Sequence, residues 1–308
     1  MAAPYGRAGP FPMMRIAVTG FKGQVATSLL ERAGNGVAVV ALARPEVTLE
    51  DRTAVLEGVA RARPDVVINA AAYTAVDKAE QEEWLAVQVN GKGAGHVAEA
   101  AAAVGAPLLH LSTDYVFDGA LDRPYREDDA PNPTGVYGRS KLIGETLVAE
   151  RCPNSAILRT AWVYSPFGTN FVRTMLRLNE TKEEVGVVAD QRGNPTYAPD
   201  IADALIAIAR RMREDSSPAL RGIFHMTASG EATWADFAET IFRQVAARGR
   251  RLTRVRRIAT ADYPTPARRP ANSRLDNTKL NETYGVALPD WRASVALCCE
   301  RLIPLEVR

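Results

Sequence analysis

The sequence predicts an α/β protein built on a doubly wound parallel sheet, with a smaller C-terminal substrate-binding lobe. Three features predict it. Short, unbroken apolar runs rich in valine and isoleucine recur through the first half, as strands covered on both faces require. Stretches of helical periodicity lie between them, and parallel strands need such crossovers. The first run ends in a glycine-bearing turn that opens directly into a helical pattern.

Residues 1–13 carry three prolines ahead of any strand pattern and read as a flexible extension, so Met13 or Met14 is an alternative start to Met1. The first strand is expected at 15–19 (RIAVT), followed by a helix over 24–33. Further strands are expected at 37–42 (VAVVAL), 65–69 (DVVIN), 107–111 (PLLHL) and 156–161 (AILRTA). Between the third and fourth lies 79–104, alanine-rich and helical in pattern. Strand and helix alternate from the first element, which is the Rossmann arrangement. This domain is expected over 14–165. Residues 166–308 are expected to form mainly the substrate-binding lobe, with the chain crossing back to the Rossmann sheet. Strands there are expected at 185–189 and 222–226 and helices at 200–213 and 233–247. Residues 259–275 read as irregular, and the basic run 248–257 as surface.

Composition excludes several function classes. Hydrophobic residues make up 46% and charged residues 24%, an ordinary globular balance. The 38 lysines and arginines against 36 acidic residues leave a net charge of +2, too little for a broad nucleic-acid footprint. No apolar run approaches the ~20 residues that cross a membrane, and the N-terminus lacks a signal-peptide core. Cys152, Cys298 and Cys299 form neither a disulfide framework nor a zinc pattern. A cytoplasmic protein with no nucleic-acid or membrane partner is expected.

Two motifs carry chemistry. In TGFKGQVA (19–26), Gly20 and Gly23 let the chain turn sharply and bring backbone N–H groups and a helix N-terminus to a phosphate. An ordinary strand–helix turn is the bland alternative. The second strand runs into Ala43 and Arg44, and no carboxylate follows until Glu46. An acidic residue here would bind ribose hydroxyls. Arg44 instead suits a 2′-phosphate, or is a surface arginine. The second motif is Tyr137-Gly138-Arg139-Ser140-Lys141. Residues i and i+4 share a helix face, and an ammonium beside a phenol lowers its pKa from about 10. That makes tyrosine usable as a proton donor or acceptor. The pair follows Leu111-Ser112-Thr113-Asp114-Tyr115, which leaves the carboxyl end of the fourth strand, where ligands of doubly wound sheets sit.

This combination resembles the extended short-chain dehydrogenase/reductase family, and within it most closely the dTDP-4-dehydrorhamnose reductases. The resemblance is carried by TGFKGQVA (19–26), RPDVVINAAAYTAVDKAE (63–80), LSTDYVFDG (111–119), YGRSK (137–141), RTAWVY (159–164), NFVRTML (170–176), DQRGNPT (190–196) and RPANSRLD (269–276). It implies NADPH-dependent reduction of the C4 ketone of dTDP-4-dehydro-β-L-rhamnose to dTDP-β-L-rhamnose, with NADH a weaker cofactor. By similarity Tyr137 supplies the proton, Lys141 binds the nicotinamide ribose and tunes Tyr137, and Thr113 hydrogen-bonds near the reacting oxygen. Gly23, Gln24 and Val25 match the pyrophosphate turn. Thr48 and Leu49 fall where the family contacts adenine, and Ala72, Tyr73 and Thr74 lie beside the cofactor. Thr113, Asp114 and Trp162 match sugar-nucleotide contacts. Trp162 as core filling and Thr113 as a turn cap remain alternatives. Arg269 suits the substrate diphosphate, with a solvated loop as the alternative. Asn90 matches an asparagine with a structural place near the lysine.

The chain departs from the family twice. Ala43 stands where an acidic residue is common, which favours NADPH. Ser28 and Pro199 stand where some relatives hold a Mg²⁺ between subunits with glutamates, so no metal site is expected and the chain should be a monomer or a metal-independent dimer. Another nucleotide-sugar epimerase or dehydratase of the family, or a non-catalytic NADP-binding regulatory subunit, is the competing reading.

Overall fold

The computed structural model describes residues 13–34 and 36–303, so the extension expected over 1–13 lies outside the described residues apart from Met13. Six strands form the central sheet: β1 (Met14–Thr19), β2 (Val37–Leu42), β3 (Val66–Asn69), β4 (Leu108–Thr113), β5 (Ser155–Thr160) and β6 (Gly222–His225). Their order is β6-β5-β4-β3-β1-β2, and every neighbouring pair is parallel. β4 and β5 are buried at every position, which is why their sequences are continuous rather than alternating.

The helices around it include α1 (Gln24–Leu30), α2 (Arg52–Ala62), α3 (Ala94–Ala103), α4 (Val136–Arg151), α5 (Phe171–Thr181), α6 (Ala198–Glu214), α7 (Trp234–Ala246) and α8 (Trp291–Leu302). On one face of the sheet, Leu29, Ala202, Leu205 and Ile208 of α1 and α6 pack with Ile16, Val18 and Ile68. On the other, Val55, Val59, Val97 and Ala101 of α2 and α3 pack with Ala17, Val67 and Leu108. A third core joins Tyr164, Phe237, Phe242 and Trp291 among α5, α7 and α8. The chain winds outward from β1 to β2 and then returns to place β3 on β1's other side. That reversal leaves a crevice outside the carboxyl ends of β1 and β3.

Three differences from the sequence expectations have physical reasons. The single helix expected over 79–104 is broken. Short helices at Val76–Ala79 and Glu83–Ala86 and a π-helix at Val87–Gly93 precede α3. A 3.6-residue apolar periodicity does not register a π-helix, whose i→i+5 backbone bonds widen the turn. The basic run 248–257 leads into a strand, Arg254–Ile258, paired in parallel with Glu184–Val188. Its arginines are exposed as expected, and their charge masks the strand pattern. The first helix ends at Leu30, short of the expected residue 33.

Candidate active site

The crevice at the strand reversal is a cleft of about 1020 Å³. Its floor is built from β1's exit. Thr19 Oγ1 accepts the Ala70 and Ala71 N–H groups, each at 3.0 Å, and donates to Asn69 Oδ1 at 2.7 Å, so the ends of β1 and β3 are stitched together. Gly20 follows at φ +88°, and a Cβ there would lie 3.5 Å from that of Ala71. The turn therefore needs glycine for its backbone angle rather than for space. Gly23 caps α1 with no side-chain hydrogen bond, and no acidic residue sits in the first turn. The helix N–H groups are left for a ligand in the cleft. Gln24 points elsewhere: its amide donates to the Val163 carbonyl at 3.2 Å and accepts from Ser165 Oγ at 2.7 Å and Asn170 Nδ2 at 3.0 Å.

Gly20, Gly23, Gln24, Val25, Arg44, Thr48, Leu49, Ala72, Tyr73, Thr74, Tyr137 and Lys141, twelve positions drawn from four separate stretches of sequence, all line this one cleft. Thr113, Asp114, Trp162 and Arg269 are not in its lining and group beyond the Tyr137 end or in the C-terminal lobe.

α4 begins at Val136, so Tyr137 and Lys141 stand one turn apart on one helix. Lys141 is buried and its Nζ donates to the Leu111 carbonyl at 2.6 Å. Desolvation lowers its pKa to about 8, and Glu145 one turn on opposes that shift. The expectation that lysine would draw the phenol's pKa down is corrected here. Burial pushes Tyr137 up to about 12, against an opposing hydrogen bond with Thr113, and the ammonium is spent on a backbone carbonyl. The phenol is thus held as an acid. Tyr115 meets it edge-on, ring centroids 5.6 Å apart.

Thr113 caps a turn beside the phenol. Its Oγ1 accepts the Tyr115 N–H at 3.2 Å and donates to Asp114 Oδ1 at 3.0 Å. Asp114 is buried, with Oδ2 unpartnered, and desolvation raises its pKa to about 7, opposed by the nearby Ser273 and Thr113 hydroxyls. Arg269 is already ion-paired: its two terminal nitrogens meet Asp77 at 3.1 and 2.8 Å. Trp162 adopts φ +47° and stacks on Trp234 at 3.6 Å, so it is half-buried packing as well as a candidate contact.

Further side chains support the site, Asn90 among those the sequence singles out and the others not. Within the π-helix, Asn90 accepts the Tyr73 N–H at 2.7 Å and donates to the Tyr73 carbonyl and to Ser140 Oγ, both at 3.0 Å. It clamps the cleft wall to the helix that carries Tyr137 and Lys141. Below them, buried Arg159 pairs with Glu145 at 2.9 and 2.7 Å, and Ser112 donates to the same carboxylate at 2.5 Å. The i,i+4 spacing of Glu145 from Lys141 was the available signal. No sequence signal marks its partner on β5.

The match to known proteins follows the same regions. Residues 14–303 match the family described as RmlD substrate binding domain. The chain belongs to the RmlD substrate binding domain family. A dTDP-4-dehydrorhamnose reductase of Sinorhizobium fredii is 53% identical over 281 residues, 91% of this chain and 95% of the relative. The crystal structure of a dTDP-4-dehydrorhamnose reductase from Clostridium acetobutylicum superimposes with TM-score 0.87 at 37% identity, covering 94% of this chain and 99% of that one. A Bacillus anthracis dTDP-4-dehydrorhamnose reductase in complex with NADP gives TM-score 0.86 at 33% identity, covering 92% and 98%. The RmlD family match thus spans the sheet, the cleft and the C-terminal lobe together.

Proposed function

We propose that this chain is an NADPH-dependent oxidoreductase that reduces the C4 ketone of dTDP-4-dehydro-β-L-rhamnose to dTDP-β-L-rhamnose. The observation that carries the reading is that Tyr137 and Lys141 share one cleft with the glycine turn and the open end of α1, in a chain 53% identical to a reductase of that name. The cleft fits a dinucleotide. Its glycine turn would take the pyrophosphate, Thr48 and Leu49 the adenine end, and Lys141 the nicotinamide ribose. NADPH, when bound, supplies the hydride.

This chain's own residues supply placement and the proton. Tyr137 is a neutral phenol across the physiological range and gives its proton to the oxygen that becomes the C4 hydroxyl. Thr113, within reach of the phenol, holds that oxygen. The Lys141 ammonium, fixed on the Leu111 carbonyl, serves the ribose, and Glu145 keeps that ammonium charged despite its burial. Asp114 and Trp162 contact the sugar nucleotide, and Arg269, steadied by Asp77, its diphosphate.

The test is an absorbance assay. NADPH should be consumed only when the dTDP-4-dehydro sugar is present, one equivalent per sugar. A 4-epimerase would interconvert sugars without net NADPH consumption, and a regulatory subunit would bind NADPH without turnover. Either outcome would overturn the proposal.

A further inference from the structure

The adenosine end of the cleft contains a group that neither the motifs nor the family match assigns. Among the described residues lining the cleft, Glu50 is the one carboxylate. It enters from the loop after β2, beyond the position where Ala43 supplies no acid. One oxygen, Oε1, accepts from Arg44 Nη2 at 2.9 Å, and the other accepts from Thr48 Oγ1 at 2.6 Å. The Arg44 side chain is 72% exposed and that of Glu50 is 27% exposed. A solvated guanidinium is therefore tethered by a less exposed carboxylate that Thr48 also holds. Both lie where the first domain would receive a ribose.

We propose that Glu50 sets the choice between the two nicotinamide dinucleotides, by competing with a cofactor 2′-phosphate for the Arg44 guanidinium. This rests on the reading of the cleft as a dinucleotide site. The chemistry of the two ligands differs at that one position. A 2′-phosphate is a strong acceptor that an arginine fork suits, but here it must share the Arg44 guanidinium with Glu50 or displace it, and in either case sit beside a carboxylate. A free 2′-hydroxyl can donate to Glu50 and leaves the pair intact. Arg44 thus favours the phosphate and Glu50 opposes it, and selectivity is the difference between them. An exposed pair of this kind is weak enough to open, so the site should accept both dinucleotides with a restrained preference for the phosphorylated one.

The test is isothermal titration of the full chain with NADP⁺ and with NAD⁺, which needs no sugar substrate. Glu50→Gln keeps the shape and removes the charge. It should tighten NADP⁺ binding by about three- to tenfold and leave NAD⁺ unchanged or weaker. Arg44→Ala should weaken NADP⁺ by about tenfold and spare NAD⁺. In the double variant the gain from Glu50→Gln should shrink, because the guanidinium being released is gone. Glu50→Ala provides a second variant in which no amide can replace the carboxylate on Arg44. An NADP⁺ to NAD⁺ affinity ratio within about twofold of the unmutated chain in both Glu50 variants would overturn the proposal. Binding of neither dinucleotide by the unmutated chain would overturn the reading of the cleft itself, and the proposal with it.

Discussion

At the residue scale, chemistry rests on which proton is held where. Tyr137 keeps its proton because burial outweighs its hydrogen bond with Thr113. Tyr137→Phe should lower kcat by roughly 10²–10⁴-fold while NADPH still binds, since general acid catalysis contributes on that order. A variant with near-normal kcat would remove the phenol from its role. Lys141→Ala should impair both turnover and cofactor affinity. Lys141 also sets a pH limb. Its folded pKa is depressed to about 8 by desolvation, so its charge is present below that value and lost as pH rises through it. Ketone reduction should therefore fall above about pH 8, and a rate profile that stays flat from pH 7 to 10 would contradict the assignment. The tyrosine–lysine pair was legible from its spacing. The direction of the tyrosine shift was not, because a sequence does not show that the ammonium donates to the Leu111 carbonyl.

At the element scale, α4 is held by close backbone contacts. A Cβ at Gly138 would fall 2.1 Å from the Tyr115 carbonyl oxygen, and one at Gly144 would fall 2.2 Å from that of Asn90. Glycine to alanine inside a helix ordinarily gains about 1 kcal/mol. Here overpacking of about 1–3 kcal/mol or more opposes it, so Gly138→Ala should destabilise the protein. Urea unfolding would show a lower midpoint, and a raised one would contradict the close approach. The main strands were readable because each buries a continuous apolar surface in a short window, and the tyrosine-bearing helix through the i,i+4 spacing of Tyr137 and Lys141, since its buried face is largely glycine and polar residues. The π-helix and the strand Arg254–Ile258 were not. The first is defined by the Asn90 clamp on Tyr73, 17 residues away in sequence, and the second by pairing with Glu184–Val188 across an arginine-rich face. The cleft's glycine turn was visible, whereas Glu50 was hidden because only the fold of its loop brings it back to Arg44.

At the scale of the whole molecule, the question is whether assembly and chemistry depend on a shared metal. Ser28, one of the positions where some relatives carry metal-binding glutamates, is fully buried and donates to the Gln24 carbonyl at 2.8 Å. Pro199, the other, has no side-chain oxygen and is buried at the start of α6. A hard cation needs oxygen ligands, usually carboxylates. Chelation with EDTA should therefore leave both sedimentation and turnover unchanged, and dissociation of a dimer with loss of activity would contradict this. The central claim is hydride transfer to the sugar ketone in a cleft shared by the glycine turn, Tyr137 and Lys141. It is tested most directly by incubating the protein with dTDP-4-dehydro-β-L-rhamnose and NADPH carrying deuterium at the transferable C4 position of nicotinamide. The account predicts dTDP-β-L-rhamnose with one deuterium at sugar C4, seen by mass spectrometry and NMR. An unlabelled product, a label at another carbon, or no reduced sugar would contradict it.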